Sequence, residues 1–400
     1  MKEIWMRYDG IDLKLLPSEL KLLLSFMRAD CSERIIQSEI EQVADVDWDH
    51  FLLLSRHHRL VPFLHHRMKQ LSLTGIPPYV LQTISREYRN NTLQMMQLSG
   101  EMTQVSKQLS ERGIRSIMLK GPVVAVDLYG SLSLRTSSDL DILVHLDDLE
   151  HVERILAGLG YVKEGDLPSV LNDWKWRHHH IAFYHPAKRV KLEIHWRLNP
   201  GPSKEPGFDE LWQRRRVSAI SAEPVHLLGR EDLFLFLISH GARHGWSRLR
   251  WLLDINQISQ QELDADLVMK LLRSNHFLQT AGQALFLCSE LLHTPLNSSL
   301  QQLAEGKRAR KLAQDAMFYI RQLINLHTDP LPIEVARYHK QHLFALMSIQ
   351  QKSLFLLSFL FPYPMDTQTL PLPKSLHMLY FPLRPFLWAW RKTRRHGYQE

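Results

Sequence analysis

The sequence predicts an α+β fold, a strand-bearing core set between an N-terminal and a C-terminal helical region. Three observations carry this: helix-period patterns up to about Gly113, short alternating runs from Ile114 to about Leu198, and helix patterns again after Pro200. The corresponding division is 1–113, 114–200 and 201–400. No internal repeat is visible.

Local signals justify each element in turn. Asp47 can cap a helix through Phe51-Leu52-Leu53-Leu54, and Pro77-Pro78 opens a long one that stops at Glu111-Arg112-Gly113. Ile114 to Leu119 reads as a strand. Pro122 to Tyr129 reads as a short helix with proline in its first turn, and Asp139 to His145 as a second strand. Asp147 or Asp148 then caps a helix through Leu149, Val152, Ile155 and Leu156 that ends at Gly158 to Gly160. Strands around Ile181 to His185 and Val190 to Arg197 flank a hairpin turn at Pro186-Ala187-Lys188. In the second of these, alternation puts Val190, Leu192, Ile194 and Trp196 on one face and Lys191, Glu193, His195 and Arg197 on the other. Helices follow over Glu231 to Ser239 and Trp246 to Gln260.

Composition narrows the function classes. The 400 residues are 44% hydrophobic and 23% charged, which suits a packed globular chain. The longest apolar stretch, Ser353 to Pro362, falls short of the roughly twenty residues that span a bilayer. Met1 to Arg7 turns polar too early for an export signal, so a cytoplasmic protein is expected. Two cysteines, Cys31 and Cys288, with no paired spacing exclude a disulfide framework or a cysteine zinc site. A net charge of +7 and a pI near 9.3 are compatible with anionic ligands.

The chemistry concentrates in Ser138-Asp139-Leu140-Asp141-Ile142-Leu143-Val144. Carboxylates at i and i+2 of a strand point the same way, roughly 7 Å apart, with Leu140 and Ile142 turned to the core behind them. Such a pair can clamp Mg²⁺ while substrate phosphates complete its shell. A third acid on a neighbouring strand would let two metals bind, and Glu193 is the candidate. Upstream, Leu119-Lys120-Gly121-Pro122 sits where a strand turns into a helix, so glycine would let the backbone approach a phosphate at the helix N-terminus.

Lys120-Gly121, Tyr129, Arg135, Asp139 to Val144, Gly160-Tyr161 and Leu192-Glu193-Ile194-His195-Trp196 together resemble the uncharacterised nucleotidyltransferase family of the DNA polymerase β superfamily. The resemblance spans about Ile114 to Leu198, with a weaker echo in His240-Gly241-Ala242-Arg243-His244-Gly245-Trp246 and Trp251-Leu252-Leu253-Asp254. It implies a mixed sheet and transfer of a nucleoside monophosphate from a nucleoside triphosphate, such as ATP, to an acceptor hydroxyl, with two Mg²⁺ ions. Asp139, Asp141 and Glu193 would then be the catalytic metal ligands. Lys120, Gly121, Arg135 and Ser138 would contact the nucleotide, and His195, His240 and His244 would face the substrate side. The sequence departs from the superfamily at Pro122, where serine usually follows the glycine; Gly130-Ser131 offers an alternative phosphate turn, although Gly130 reads better as the end of its helix. The acceptor is open among a sugar, a small molecule, a protein side chain and a nucleic acid end, with the nucleic acid the least expected.

Other features have plainer readings. Consecutive residues of an extended segment point apart, so His178-His179-His180 is not expected to converge on one ion. His240 and His244 share a helix face without the intervening glutamate of a metalloprotease helix. Arg135 could pair with a local carboxylate. Trp246, Trp251, Leu252 and Ile255 read as core. The aromatic and basic stretch from Leu379 through Trp388, Trp390 and Arg391-Lys392-Thr393-Arg394-Arg395 reads first as a packed helix and second as a peripheral membrane contact or a nucleic-acid contact. A chain that keeps this fold without catalysis, using its helical shell to bind a partner, is the alternative function.

Overall fold

The computed structural model describes residues 11–42 and 46–396, with side chains as far as Thr393. Met1 to Arg7, which bears on the expected absence of an export signal, lies outside the described residues, as do the side chains of Arg394 and Arg395. Five helices lead in: α1 (Ser18–Met27), α2 (Glu33–Gln42), α3 (Trp48–His57), α4 (Val61–Gln70) and the 33-residue α5 (Pro78–Ser110). Asp47 caps α3 by accepting the His50 N–H at 2.9 Å, and Gly113 takes a positive φ just beyond α5.

The central segment alternates strand and helix: β1 (Ser116–Met118), α6 (Pro122–Tyr129), β2 (Asp139–Val144), α7 (Leu149–Gly158), β3 (Val162–Glu164), α8 (Trp174–Arg177), β4 (His180–His185) and β5 (Val190–His195). Then come α9 (Phe208–Gln213), β6 (Arg216–Val217) and β7 (His226–Leu227). The strands form one seven-stranded mixed sheet in the order β3-β4-β5-β2-β1-β7-β6. Only β2 with β5 and β1 with β7 run parallel; the other neighbours are antiparallel. The sheet therefore continues past residue 200, where the sequence shows only a return to helix. Strands of two residues are too short to display any alternation.

The chain continues through α10 (Arg230–Arg243), α11 (Leu249–Ser259), α12 (Ala265–Ser274), α13 (Leu278–Leu292), α14 (Ser298–Ala304), α15 (Lys307–Arg321) and α16 (Ile333–Leu346). It finishes in α17 (Ile349–Ser358), α18 (Pro364–Thr369) and α19 (Tyr380–His396). One hydrophobic core runs from Leu16 of the lead-in to Leu346 of α16, and Val190, Leu192, Ile194 and Trp196 contribute the apolar face of β5 to it. Trp246, Trp251, Leu252 and Ile255 are all buried. In α19 the buried side chains Tyr380 and Leu387 pack instead with Val170 in a small separate cluster. Asp366 of α18 pins that helix by pairing with Arg384 and Arg391, each at 2.8 Å.

Two free, buried thiols stand at Cys31 and Cys288. Among the described residues no helix is long and apolar enough to cross a membrane.

Candidate active site

The site forms where β2 and β5 lie side by side. Their parallel register sets Asp141 opposite Glu193, Asp139 opposite Lys191 and Leu143 opposite His195. Paired residues of adjacent strands project to the same face, so Asp139, Asp141, Glu193 and His195 share one side of the sheet, while Leu140, Ile142, Leu192 and Ile194 fill the other. Asp141 is 1% exposed. Its Oδ1 takes Lys120 Nζ at 2.8 Å and faces His195 Nε2 at 3.1 Å, whereas its Oδ2 is buried without a partner. His195 Nε2 also lies 3.6 Å from Glu193 Oε2, and His195 Nδ1 is buried without a partner. Asp141, Glu193 and His195 each offer a ligand atom within 4.8 Å of the other two.

The electrostatics follow from crowding charges in a dry corner. Burial alone would raise the Asp141 carboxyl, but the Lys120 ammonium and the His195 imidazole hold it well below the usual carboxylate range. Glu193 shows the same balance, burial opposed by His195, and ends below its ordinary value. Asp139 goes the other way: burial, then the charges of Asp141 and Glu193, raise it. His195 is raised because its two carboxylates outweigh its burial. Burial lowers His179, and lowers His180 to about 4.

The glycine turn is where the sequence put it. Gly121 ends the β1 segment and caps α6 at φ +80° and ψ −137°, a conformation that side-chain-bearing residues rarely adopt. A Cβ there would lie 3.5 to 3.7 Å from Leu140, the Asp139 carbonyl and Ser137 Oγ, so the turn is seated directly on the acid strand. Gly130 closes α6 in the left-handed conformation, donating its N–H to the Val126 carbonyl at 2.9 Å. The approach to Asp139 is held by α5: Asn91 Nδ2 donates to the Ser133 and Arg135 carbonyls, and Gln94 Nε2 to that of Ser137. Ser138 is exposed at the start of β2.

Arg135 is committed elsewhere. Its Nε and one terminal nitrogen make a buried, bidentate pair with Asp254 of α11 at 2.9 Å each, and Tyr129 Oη donates to the same carboxylate at 2.7 Å. Three residues quoted for the family resemblance, Tyr129, Arg135 and Asp254, thus form one structural network tying α6, the acid-strand approach and α11 together. The partner carboxylate of Arg135 is local in space but 119 positions away in sequence.

A basic wall faces the acids. The charge of Arg59, in the α3–α4 turn, acts on Asp139, and that of Arg243, at the end of α10, acts on Asp141 and Glu193. Arg248 stands beside Arg59, and burial lowers both Arg243 and Arg248 to about 10. Among the described residues none of the three makes an ion pair with a carboxylate: Arg243 reaches His240 Nδ1 at 3.4 Å, and Arg248 donates to the His57 carbonyl at 3.2 Å. His240 and His244 stand with ring centroids 4.7 Å apart, and burial followed by neighbouring cations, Lys120 among them, keeps both well below the ordinary imidazole value. The Lys120 charge thus acts on both histidines as well as on Asp141.

The family model described as uncharacterised nucleotidyltransferase matches residues 44–293. The chain belongs to that family. Among solved structures, this nucleotidyltransferase-family chain is similar to an antigenic nucleotidyltransferase-like protein from Paracoccidioides brasiliensis, with 15% identity over 51% of this chain and 95% of the other and a TM-score of 0.30. It is also similar to JHP933 from Helicobacter pylori, with 14% identity over 64% and 98% of the two chains and a TM-score of 0.26. No curated protein matches it.

Sequence reasoning missed Arg59, Arg243, Arg248, His179 and His180 as residues of this corner. Arg243 lies inside the quoted His240 to Trp246 stretch, which was a signal. Arg59 lies in the α3–α4 turn and Arg248 just ahead of α11, and neither falls within a quoted motif.

Proposed function

We propose that this nucleotidyltransferase-family protein transfers a nucleoside monophosphate from a nucleoside triphosphate to an acceptor hydroxyl and releases pyrophosphate. The supporting observation is the parallel register that sets Glu193 beside Asp141, with Asp139 on the same face and a buried carboxylate oxygen, Asp141 Oδ2, left unpartnered. Buried polar atoms are normally satisfied, so this oxygen suits an incoming cation. Asp139, Asp141 and Glu193 form an oxygen donor set fitted to Mg²⁺, two ions being expected with the triphosphate completing their shells. Bound Mg²⁺ would supply Lewis-acid stabilisation of charge on the transferring phosphoryl group.

The chain's own residues divide the remaining work. Lys120, the Gly121 turn with the N–H groups that open α6, and the Arg59, Arg243 and Arg248 wall would hold the triphosphate, with Ser138 at its edge. Arg135, given to Asp254, would act on the site by fixing the backbone before Asp139. The acceptor oxygen would attack the α-phosphorus as the bond to the β-phosphate oxygen breaks. One of the carboxylates of Asp139, Asp141 and Glu193 would also take the hydroxyl proton. His240 and His244 would border the acceptor. Labelled nucleoside triphosphates offered with cell extract test the reading: a labelled product that disappears in Asp139→Asn supports it, and no transfer to any fraction counts against it.

One observation favours the non-catalytic alternative. The Lys120 ammonium sits 2.8 Å from Asp141 Oδ1, where it could stand in permanently for a metal. Calorimetry separates the two readings, because the enzyme must bind Mg²⁺ with a nucleotide and the scaffold must not. Peripheral lipid contact is proposed through the C-terminal helices, where Phe386 is 72%, Trp388 58% and Trp390 48% exposed and Leu360 lines one groove with Trp388. Co-sedimentation with anionic vesicles that fails equally for wild type and Trp388→Ser would remove it.

A further inference from the structure

Strand alternation scatters three consecutive histidines, yet the fold brings two of them back to the acid corner. His180 opens β4 and stands opposite His195 in the β4–β5 register, with ring centroids 5.0 Å apart. His179 precedes the strand, so alternation does not govern it. Its carbonyl accepts the Trp196 N–H at 3.0 Å, and its ring lies edge-on to His180 at 4.4 Å and to His195 at 5.4 Å. One ring nitrogen from each of the three lies within 4.8 Å of the others.

Two further features point to a ligand. His179 Nε2 and His180 Nδ1 face each other at 3.1 Å. Two nitrogens bound at ~2.0–2.1 Å to one tetrahedral ion stand ~3.3 Å apart, so this pair already has nearly the spacing of shared coordination. His195, 3% exposed, has a buried Nδ1 with no partner while its Nε2 faces the Asp141 carboxylate. Metal-binding imidazoles characteristically give their other nitrogen to a carboxylate, which fixes ring and tautomer.

We propose that His179, His180 and His195 form a nitrogen-donor site for one borderline transition-metal dication, of which Zn²⁺ is the best fit, next to the oxygen-donor site assigned to Mg²⁺. Imidazole donors suit Zn²⁺ and its neighbours, whereas Mg²⁺ demands oxygen. The two sites share His195. An ion on its ring would lock the orientation in which Nε2 meets Asp141 Oδ1, so the metal's role here is positioning. The inference rests on the preceding reading only for the work of the adjacent acids; the histidine site itself stands on its own geometry.

The test uses the full chain, stripped with chelator and titrated with Zn²⁺ and separately with Mg²⁺ plus ATP. One equivalent of Zn²⁺ should bind, and X-ray absorption of the zinc-loaded wild type should show imidazole scattering from about three rings at ~2.0–2.1 Å. His179→Gln and His180→Gln should each weaken Zn²⁺ at least ~10-fold to 100-fold, the loss that even an outer-sphere partner can cause. Asp139→Asn should leave the Zn²⁺ affinity within about threefold and instead lose Mg²⁺-dependent nucleotide binding, since only the oxygen site depends on it. Absence of stoichiometric zinc, an oxygen-only shell, or zinc affinity lost in Asp139→Asn but kept in both histidine variants would overturn the proposal. Because the spectrum is read on wild type, a variant that fails to fold does not remove the test. Loss of Mg²⁺–ATP binding in the wild type would count against the transferase reading alone.

Discussion

Two buried ionic clusters, one around Asp254 of α11 and one around Asp141 of β2, differ in how fully their carboxylates are satisfied. In the Arg135–Asp254–Tyr129 cluster both carboxylate oxygens are taken, by two guanidinium nitrogens and a phenol, at 2.7 to 2.9 Å, and the one buried orphan is a donor, Arg135 Nη1. In the Asp139–Asp141–Glu193–His195 cluster, Asp141 Oδ2 and His195 Nδ1 are orphaned and like charges are crowded together. A carboxylate with both oxygens taken suits a structural pair, whereas an orphaned carboxylate oxygen beside crowded like charges is what the proposed ligand site would use. Removing one partner from a buried ion pair leaves an uncompensated charge, so structural pairs are costly to break, whereas a ligand corner loses chemistry first.

That contrast can be broken at several points. The largest effect belongs to the open cluster: Asp139→Asn and Asp141→Asn should each lower transfer by at least ~10²–10³-fold, the scale of a lost transition-state contact, with the fold intact. Labelled-product assays with circular dichroism check this, and a variant that unfolds would assign its aspartate to structure. Next, Asp254→Ala should cost about 3–5 kcal/mol of stability, measured by denaturant unfolding, because it strands the Arg135 charge. A loss below about 1 kcal/mol would mean that the closed cluster is not holding the fold. Thirdly, Glu193→Gln should reduce kcat by about 10²-fold with nucleotide Kd little changed, and full activity would exclude its role as the third ligand.

Lys120 and Arg135 sharpen the comparison further, since composition treats them alike and the structure does not. Lys120→Ala, Arg59→Ala and Arg243→Ala should each raise nucleotide Kd by about 10-fold, the loss of one charge-assisted contact, while Arg135→Ala should chiefly lower stability. Equal Kd effects from Arg135 and Lys120 would erase the distinction. The smallest effect is in pH. Burial opposes ionisation of Asp254, but Arg135 holds its folded-state pKa below the ordinary value of about 3.9. The contribution of the pair is therefore fully present above that value and lost as pH falls through the folded-state pKa. The difference in unfolding free energy between wild type and Asp254→Asn should be flat from about pH 5 to 8 and shrink below about pH 4.

The sequence by itself determined the helix ends, the longer strands and the polar face that carries the acids, but not the short strands β3, β6 and β7. Caps and breakers act over a few residues, which is why Asp47, Pro122, Gly113 and Gly130 announced their helix ends, and period-2 alternation is local, which is why Glu193 and His195 were placed on the polar face of β5. Gly121 was legible for the same reason: only glycine readily takes its positive φ at a strand-to-helix turn. Tertiary structure decided everything that depends on register and crossing. The parallel pairing of β2 with β5 made Glu193 the neighbour of Asp141, and the hairpin returned His179 and His180 to His195. Arg135 went to a carboxylate in α11, and Arg59, Arg243 and Arg248 were collected from the α3–α4 turn, the end of α10 and the start of α11. Ionic and metal-binding partners are chosen by distance in space, and a local pattern carries no information about which remote side chain the folded core will bring within 3 Å.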